Sequence, residues 1–355
     1  MGDKKLNVLI IDDSALVRGV LKKIFDKEPD IEVMGAVVDP IYAIKKIKEK
    51  KPDVITLDLQ MPRMDGLTFL KKLMRAHPLP VVVVSAKAKK SSEVTLKALE
   101  LGAFDFVTKP EVGVEEGIND LASQIVHKVR SAAKANITEL SKRTRKEQMG
   151  EKASKEIPET TILTSTDKII CLGASTGGTV AIRNILQPLP ANLPGILVVV
   201  HMPSGFTASF AQSLDSICSM KVKEAEHRDQ IVSGTCYVAP GNYHLVVKKS
   251  GSSYYIELNQ DPPMRSHRPS IDKTFYSLAE NVAPNSMGVV LTGMVDDGAR
   301  GLKEMYDQGC HTVAQDEKTS VVFGMPKQAI KLGGVRKVLP LDKIAGSIMN
   351  YVKEN

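Results

Sequence analysis

One serine of this chain, in a glycine-rich turn, has the sequence context of a nucleophile. Ser175 lies in GASTGG, between the apolar run IICL and the helix-like segment TVAIRNIL. A strand, a tight glycine turn and a helix in that order hold a serine hydroxyl clear of the sheet, near backbone N–H groups at the helix start. Because such a turn can also bind phosphate or cap the helix, a nucleophile needs support from the rest of the chain.

Two later strand-like runs also end in residues that could assist a serine. His201 follows ILVVV, and Asp296 and Asp297 follow GVVL within the stretch LTGMVDDGARG. Because the carboxyl ends of parallel strands meet at one edge of a sheet, these side chains are expected close to Ser175. A neutral imidazole could accept the serine proton, and a carboxylate behind it would fix the tautomer. Asp297 is the preferred acid, because Asp-Gly at a helix start suits a fixed carboxylate.

The order of these residues along the chain, and the other histidines, limit this interpretation. The order Ser, His, Asp differs from the Ser, Asp, His of the α/β-hydrolase fold, so a lipase or peptidase of that fold is not expected. His244, after the glycine turn APGNY, is the strongest alternative to His201 as the base. His267 in RSHRPS could bind an anionic substrate, and His311 at a strand start is expected to be structural.

A second set of reactive residues lies at predicted strand ends in the first third of the chain. Clustered carboxylates repel one another unless a cation joins them, and oxygen ligands suit Mg²⁺. A carboxylate beside Mg²⁺ and a lysine can act as a nucleophile toward phosphorus. Any one of these residues alone could cap a helix or satisfy a local backbone group, but together they predict a phosphoryl-transfer site. The set comprises Asp12, Asp13, Asp58, Ser85 and Lys109.

Alternating strand and helix patterns must position both sets of residues. In the first part, strands are predicted at residues 7–11, 31–38, 54–57, 81–84 and 104–108, and helices near 15–25, 40–50, 66–77, 94–101 and 118–130. In the second part, strands are predicted at residues 169–172, 196–200, 235–238, 244–247, 254–258, 288–291 and 311–314. The turn signal KKSGSS joins two of the latter as an antiparallel hairpin. The patterns predict two α/β domains, each with a mostly parallel, doubly wound sheet.

A charged segment separates the two predicted domains. Residues 129–166 contain few large apolar side chains and no strand alternation, so we predict a linker between a domain at 1–128 and a domain at 167–355. Between Lys128 and Glu156, nine Lys and Arg residues face four Glu residues, which leaves the remaining chain near +2 out of the total of +7. Because no aromatic residues are interleaved and no recognition-helix spacing occurs, a nucleic-acid partner is not expected.

The composition indicates where the protein is expected in the cell and whether its cysteines form disulfides. The longest aliphatic runs are too short to span a membrane, and the N-terminus lacks the pattern of a secretory signal, so a cytoplasmic protein without membrane insertion is expected. The four cysteines, at positions 171, 218, 236 and 310, form no C-x-x-C pair. They are predicted to be reduced and mostly buried.

Residues 1–128 resemble a response-regulator receiver domain. The resemblance rests on the acid pair DD, the acceptor motif LDLQMPRMDG, the hydroxyl residue in VVVVSA and the KP after the fifth strand. It implies a flavodoxin-like fold with a five-stranded parallel sheet. It also implies that Asp58 accepts a phosphoryl group from a histidine kinase, and that Asp13 and Asp58 bind Mg²⁺ with support from Asp12.

The same resemblance implies how the phosphoryl group would be sensed. Lys109 would contact the phosphoryl group, and Ser85 and Phe106 would form the switching pair, with the aromatic ring turning inward as the hydroxyl moves toward the phosphate. Phosphorylation adds close to two negative charges at the sheet edge, which is enough to reorder neighbouring loops.

Residues 167–355 resemble the catalytic domain of chemotaxis protein-glutamate methylesterases. The resemblance rests on GASTGG, HMPSGFTASFAQSL, APGNYHL, RPSID, LTGMVDDGARG and VVFGMP. It implies a Rossmann-like domain with a triad of Ser175, His201 and Asp297, in which Thr176 and Met294 line the site beside backbone oxyanion donors. Two positions depart from the family pattern: Val295 stands where Gly is usual, which would strain a positive φ, and APGNYHL lacks a second glycine.

The resemblance implies hydrolysis of glutamate methyl esters on the cytoplasmic domains of methylated chemoreceptors, with release of methanol, during chemotaxis adaptation. Glutamine deamidation is the same chemistry with ammonia leaving, and some family members carry it out. The esterase step would need no cofactor, so Mg²⁺ belongs to the receiver. We further expect the unphosphorylated receiver to pack over the Ser175 edge in an intramolecular interface. The alternative is a response regulator whose second domain only binds a partner or nucleotide, with GASTGG cradling phosphate.

Overall fold

The computed structural model describes residues 5–86, 89–109, 115–135 and 168–354. The chain divides into two compact units, Met1–Glu151 and Lys152–Asn355. Residues 136–167, which make up most of the predicted linker, lie outside the described residues. The predicted domain boundaries therefore stay a prediction.

The first unit is a five-stranded parallel sheet with the strand order β2-β1-β3-β4-β5. Strands β1 to β5 are Leu6–Ile11, Ile31–Val37, Val54–Leu57, Val81–Ser85 and Asp105–Thr108. Helices α1 to α5 are Ala15–Phe25, Pro40–Glu49, Gly66–Ala76, Lys89–Glu100 and Glu115–Ala133. The central strands β3 and β4 are buried along their whole length because helices cover both faces of the sheet. The largest difference from prediction is α4, which begins five residues early in a polar stretch without apolar periodicity.

The second unit contains a seven-stranded sheet and a separate hairpin. The large sheet has the order β14-β13-β12-β6-β7-β9-β8, and each of its strand pairs is parallel. Strands β6 to β14 are Ile169–Ala174, Gly195–Val200, Lys221–Glu224, Thr235–Val238, His244–Ser250, Ser253–Asn259, Ser286–Val290, His311–Gln315 and Lys337–Leu339. Helices α6 to α11 are Gly178–Leu186, Phe206–Asp215, Ile271–Asn281, Ala299–Asp307, Met325–Lys331 and Leu341–Lys353. The antiparallel pair β10-β11 is the predicted hairpin.

The predicted fold class is confirmed in both units, but two strands of the larger sheet were not predicted. These are β8 and β14, which lie at its two edges. Their sequences, KVKE and KVL, are short and largely polar or exposed. Edge strands of this kind carry little apolar pattern, since charged and short edges protect a sheet from pairing with other chains.

The strand order of the larger sheet reverses at β6. The chain leaves β6 toward β7 on one side and later returns to β12 on the other. In open parallel sheets, ligands bind outside the carboxyl ends of the strands at such a reversal. The residues that directly follow β6, β7 and β12 therefore share the expected ligand edge.

For the part of the chain that it describes, the structure agrees with the predictions that the cysteines are unpaired and mostly buried and that no segment spans a membrane. All four cysteines are free, and three are fully buried, with Cys218 half-buried. Burial raises the pKa of the Cys171 thiol, which lies within β6. Within the described ranges, no helix is both long and apolar enough to cross a membrane.

Candidate functional site

Ser175 is the first residue after β6, in the turn that leads into α6. Gly177 adopts a φ of +76°, and a Cβ at this position would lie 2.8 Å from the Cβ of Val321. Only glycine adopts this conformation without strain in such a confined place. The Ser175 N–H donates to the carbonyl of Thr292 at 3.0 Å. This bond joins the turn to the segment that follows β12.

The segment after β12 approaches Ser175 closely because residue 293 is glycine. A Cβ at Gly293 would lie 2.9 Å from the Cβ of Ser175. The Gly293 carbonyl accepts hydrogen bonds from the N–H groups of Gly324 at 3.0 Å and Met325 at 2.9 Å. Three separate segments of the chain are thereby fixed around the serine turn.

His201 directly follows β7 and lies beside Ser175. The register of β6 and β7 pairs Ala174 with Val200, so the next residue on each strand is a neighbour across the sheet edge. The His201 N–H donates to the Ala174 carbonyl at 3.2 Å. The imidazole Nε2 lies 2.7 Å from Oδ2 of Asp297. Its other nitrogen, Nδ1, is buried and has no hydrogen-bond partner in the part of the chain that the structure describes.

Asp297 is fully buried, and hydrogen-bond donors surround its carboxylate. Oδ2 accepts from the Ile271 N–H at 2.7 Å, and Oδ1 accepts from the Ser270 hydroxyl at 2.8 Å and the Asp272 N–H at 3.1 Å. These donors form the N-terminus of α8, which favours a negative charge. Burial alone would raise the pKa of Asp297, but His201 and the two backbone N–H groups lower it to about 2. The carboxylate is therefore ionised at neutral pH.

The neighbouring acid, Asp296, has a different environment. Its side chain is 47% exposed and forms a close ion pair with Arg265. The Arg265 Nε also donates to Oδ2 of Asp272 at 3.0 Å. The acid at His201 is thus Asp297, and Asp296 helps to anchor the loop that carries Arg265.

A second imidazole packs against His201. The rings of His201 and His267 are stacked, with centroids 3.8 Å apart and an interplanar angle of 21°. Nδ1 of His267 lies 2.6 Å from the Arg265 carbonyl, which fixes the ring. Arg265 and Ser266 have φ values of 50° and 64°, so this tight loop turns His267 back over the site. The segment RSHRPS left His267 open as a ligand for an anionic substrate, and nothing in that local pattern signals this stacking.

His244, the alternative base, holds the loop before α8 in place. It is fully buried, its Nδ1 accepts from the Ser270 N–H at 3.2 Å, and its Nε2 lies 3.2 Å from the Pro262 carbonyl. Burial lowers the pKa of His244, which keeps the ring neutral. Both ring nitrogens are thus engaged with the backbone. His311 is the first residue of β13, at the amino ends of the strands and away from Ser175, and its ring packs against Tyr351.

Thr176 and Met294 flank the serine. Thr176 is buried, and its carbonyl accepts from the Thr292 hydroxyl at 3.0 Å. Met294 follows Gly293, the residue that approaches Ser175. That these two residues line the site, with backbone oxyanion donors nearby, remains a prediction.

In the first unit, the predicted acids and lysine meet at the carboxyl edge of the sheet. Carboxylate oxygens of Asp12, Asp13 and Asp58 all lie within 4.8 Å of one another. The Lys109 Nζ lies 2.7 Å from Oδ2 of Asp58 and 3.0 Å from Oδ2 of Asp12. Burial raises the pKa of Asp12, although Lys109 opposes this shift. Three converging carboxylates, two of them buried, fit the oxygen ligands that Mg²⁺ prefers.

Ser85 and Phe106, the predicted switching pair, lie on the adjacent strands β4 and β5. The Ser85 hydroxyl lies 2.6 Å from that of Thr95, and both side chains are buried. Phe106 is 5% exposed, so the ring already faces inward. A small cavity borders Asp58, Ser85 and Lys109. The acceptor carboxylate, hydroxyl and ammonium groups therefore share one space.

Comparison with known proteins assigns a family to each part of the chain. The sequence pattern described as CheB methylesterase matches residues 170–348, and that described as response regulator receiver domain matches residues 8–119. The chain belongs to the CheB methylesterase family. A Geobacter metallireducens protein, named protein-glutamate methylesterase/protein-glutamine glutaminase 1, is 48% identical over 99% of this chain and 98% of its own length. A similarly named protein of Ralstonia nicotianae is 47% identical over 98% of this chain and 96% of its own length.

A solved structure extends the comparison to the fold of the second unit. The crystal structure of the Thermotoga maritima CheB methylesterase catalytic domain is 39% identical. It covers 53% of this chain and 100% of its own, with a TM-score of 0.52. The predicted resemblance to both domain families is thereby confirmed.

The structure shows how the chain accommodates its two departures from the family pattern, and Val295 causes no backbone strain. Val295 lies outside the left-handed region of φ, and its side chain packs partly buried against the hydrophobic core. In the turn APGNYHL, which lacks the second glycine, Asn242 does adopt a positive φ of 70°. Asparagine tolerates this conformation better than most residues. Its side-chain oxygen also accepts from Arg268 Nη2 at 2.7 Å, which holds the turn.

Proposed function

We propose that the chain is a phosphorylation-activated hydrolase of glutamate methyl esters on chemoreceptors, with Ser175 as nucleophile, His201 as base and Asp297 as its partner. One observation carries the proposal. The buried Nδ1 of His201 has no partner among the described residues, lies on the residue beside Ser175, and belongs to a ring whose other nitrogen bonds an ionised Asp297. An acceptor of this kind is what a serine hydroxyl needs in order to lose its proton.

In the first step, the Ser175 oxygen attacks the ester carbonyl while its proton passes to Nδ1 of His201. The Asp297 carboxylate stabilises the resulting imidazolium through Nε2. This arrangement exchanges the two ring nitrogens relative to chymotrypsin-type proteases, in which the aspartate bonds Nδ1. The stacked ring of His267 limits rotation of the His201 ring and keeps both of its nitrogens directed.

Backbone N–H groups of Thr176 and Met294 would hold the oxyanion of the tetrahedral intermediate. His201 then returns its proton to the departing methoxide, which leaves as methanol. Water, deprotonated by His201, attacks the acyl-enzyme and releases the glutamate carboxylate and Ser175. With a glutamine side chain, ammonia would leave in place of methanol and the same groups would act.

The receiver would control this chemistry through Asp58. In this proposal the Asp58 carboxylate accepts a phosphoryl group from a histidine kinase. Asp12, Asp13 and Asp58 would hold Mg²⁺, which would supply positive charge against the phosphoryl oxygens. Lys109, which now pairs with Asp12 and Asp58, would move to the phosphoryl oxygens. Ser85 would follow, and its displacement is the predicted signal to the receiver surface.

We further propose the domain boundaries given above and an inhibitory interface. A receiver at 1–128, tethered through 129–166, would cover the Ser175 edge of the domain at 167–355 until phosphorylation weakens the contact. The reason is the pairing of a switchable domain with an enzyme in one chain.

The test is methanol release from receptor membranes that carry methyl esters, with and without a small-molecule phosphodonor and Mg²⁺. Ser175→Ala should abolish release, whereas Ser216→Ala, an exposed serine at the end of α7, should leave it unchanged. Release that depends on Ser175 and rises with phosphodonor supports the whole proposal. Methanol release that does not change with the phosphodonor would contradict the proposed regulation. An absence of release from the wild type would contradict the proposed enzyme activity and favour a binding module.

A further inference from the structure

Thr292 connects the turn that carries Ser175 to a third segment of the second unit. It is fully buried and lies two positions after β12. Its hydroxyl donates to the Thr176 carbonyl at 3.0 Å and accepts from the Val322 N–H at 3.0 Å. The Val322 carbonyl lies farther from this hydroxyl, at 3.3 Å, so its single proton is assigned to Thr176. One side chain thereby joins the serine turn to the segment before α10.

The backbone of Thr292 belongs to the same network. Its carbonyl accepts from the Ser175 N–H at 3.0 Å, and its N–H donates to the side-chain oxygen of Gln315 at 2.9 Å. Gln315 ends β13, is fully buried, and donates through its side-chain nitrogen to the Thr319 carbonyl at 2.7 Å. Buried polar groups that are paired in this way make a site rigid. Gln315 thus supports Thr292 from the neighbouring strand.

The Thr292 hydroxyl fixes the first of the two N–H groups that would hold the oxyanion, that of Thr176. A trans, planar peptide group directs its C=O and its N–H in opposite directions, so a held carbonyl also fixes the N–H of the next residue. The peptide group before Thr176 is held through the Ser175 carbonyl, which accepts from the Gly178 N–H at 2.7 Å. The peptide group after it is held through the Thr176 carbonyl by Thr292. Loss of the Thr292 hydroxyl removes the second of these constraints.

The second of these N–H groups, that of Met294, is connected to Thr292 through Val322. The peptide group before Met294 is held through the Gly293 carbonyl, which accepts from two N–H groups at the start of α10. The Gly293 N–H donates to the Val322 carbonyl at 3.1 Å, and the Val322 N–H donates in turn to the Thr292 hydroxyl. The segment that holds the Met294 peptide group is therefore tied to the same hydroxyl as the serine turn.

We propose that Thr292, supported by Gln315, is a positioning residue for the oxyanion hole of the esterase, an inference that rests on the function proposed above. Because Thr292 is fully buried, it does not contact the substrate and acts through the two backbone segments that its hydroxyl joins. The oxyanion forms only as the ester carbonyl becomes tetrahedral, so donors held in place in advance stabilise the transition state more than the bound ester. A loss of positioning should therefore lower kcat and leave KM nearly unchanged.

The experiment measures kcat and KM for methanol release by the full chain from methylated receptor membranes, with phosphodonor and Mg²⁺ held constant. Thr292→Val replaces the hydroxyl by a methyl group of similar size. It should lower kcat by about 10- to 100-fold and change KM by less than about threefold, because the oxyanion donors lose alignment. Thr292→Ser keeps the hydroxyl and should remain within about threefold of the wild-type kcat.

Thr312→Val is the matched control, because it makes the same substitution at another buried threonine of the same sheet. Thr312 lies near the amino end of β13, and its hydroxyl accepts from the Arg336 N–H at 3.0 Å. Its removal also leaves a backbone donor without its acceptor, but at the end of the sheet away from Ser175. Thr312→Val should therefore keep the wild-type kcat.

A tetrahedral adduct on Ser175 gives a second readout, which a merely structural role would not move. The probe is a peptide in which a trifluoromethyl ketone replaces the methyl ester of glutamate. The Ser175 oxygen would add to the ketone carbonyl, its proton would pass to His201, and the former carbonyl oxygen would become the oxyanion. The inhibition constant should rise in Thr292→Val by the factor by which kcat/KM falls, because both report on binding of the oxyanion. A smaller folded fraction would lower the apparent kcat without changing this constant.

A wild-type kcat in Thr292→Val would overturn the inference, as would a Thr292→Ser variant as slow as Thr292→Val or a loss that appears only in KM. If Thr292→Val does not fold, Gln315→Met, which removes the acceptor of the Thr292 N–H, is measured in its place. It should lower kcat by about 3- to 10-fold, and a wild-type kcat in this variant would overturn the inference. Methanol release that does not depend on Ser175 would contradict the proposed function and this inference with it. Release that depends on Ser175 but not on Thr292 would contradict this inference alone.

Discussion

The chain contains two sites built around buried aspartates, and the pKa of the aspartate is shifted in opposite directions in the two sites. In the second unit, Asp297 is saturated by a histidine, a serine hydroxyl and two backbone N–H groups, and its pKa is lowered to about 2. In the first unit, Asp12 is buried next to Asp58 with Lys109 as the cation between them, and burial raises its pKa.

This contrast fits the role proposed for each site. A triad carboxylate should not move during the reaction, so donors that cost no reorganisation surround it. A phosphorylation site must accept a cation and a phosphoryl group and later release them. Its carboxylates are therefore held by a lysine, whose ion pairs with Asp12 and Asp58 can be exchanged for those charges.

The largest expected effect comes from neutralising the saturated carboxylate. Asp297→Asn should lower kcat for methyl ester hydrolysis by about 10³- to 10⁴-fold, because an amide cannot stabilise the imidazolium. Asp296→Asn is the matched control and should change kcat by less than about threefold, since the Asp296 side chain is half exposed and pairs with Arg265 rather than with His201. The measurement is methanol release under saturating substrate. Equal losses in the two variants would mean that the loop, not the charge at His201, is what matters.

Removing the predicted phosphoryl acceptor should leave the ester chemistry intact but end its control by phosphorylation. Asp58→Asn should bring the ratio of rates with and without phosphodonor to about one, with the unstimulated rate unchanged. Asp26→Asn, an exposed acid paired with Lys22, should keep the wild-type ratio. A phosphodonor response that survives in Asp58→Asn would assign the phosphoryl group to another residue.

The strand ends could be read from sequence, whereas the long-range contacts at the sites could not. Ser175, His201 and Asp58 directly follow apolar runs, and the edge geometry of parallel sheets brings such residues together whatever their separation. The donors to Asp297 come from the start of α8, 25 to 27 residues away in the chain. No local periodicity marks that contact, because it depends on how α8 packs. The stacking of His267 on His201 escaped prediction for the same reason.

A smaller effect should separate ring stacking from ring charge at the triad. His267→Ala should lower kcat by about 3- to 10-fold, because the His201 ring loses a packed neighbour worth about 0.5–1.5 kcal/mol. His267→Phe should recover most of that rate, since a phenyl ring can stack but cannot titrate. The pH dependence of kcat/KM is the second measurement. If Phe behaves like Ala, and the profile shifts in both variants, His267 acts through its charge instead.

The charges of the two carboxylates should affect the stability of the fold in opposite directions at neutral pH. The folded pKa of Asp297 is about 2 against about 3.9 in the unfolded chain, so its charge stabilises the fold above about pH 4, by about 3 kcal/mol. That contribution is lost as the pH falls from about 4 to about 2. The pKa of Asp12 is raised, so its contribution is largest at low pH and declines as the pH rises through about 3.9.

At neutral pH without Mg²⁺, Asp297→Asn should therefore destabilise the second unit, while Asp12→Asn should stabilise the first. Native-state hydrogen exchange of amides in β6 and β1 reports the two units separately. Added Mg²⁺ should stabilise β1 in wild type and much less in Asp12→Asn, because a ligand of the cation is lost. A destabilised β1 in Asp12→Asn without Mg²⁺ would mean that the ion pair with Lys109 outweighs the burial of the charge, and that both carboxylates are held in the same way.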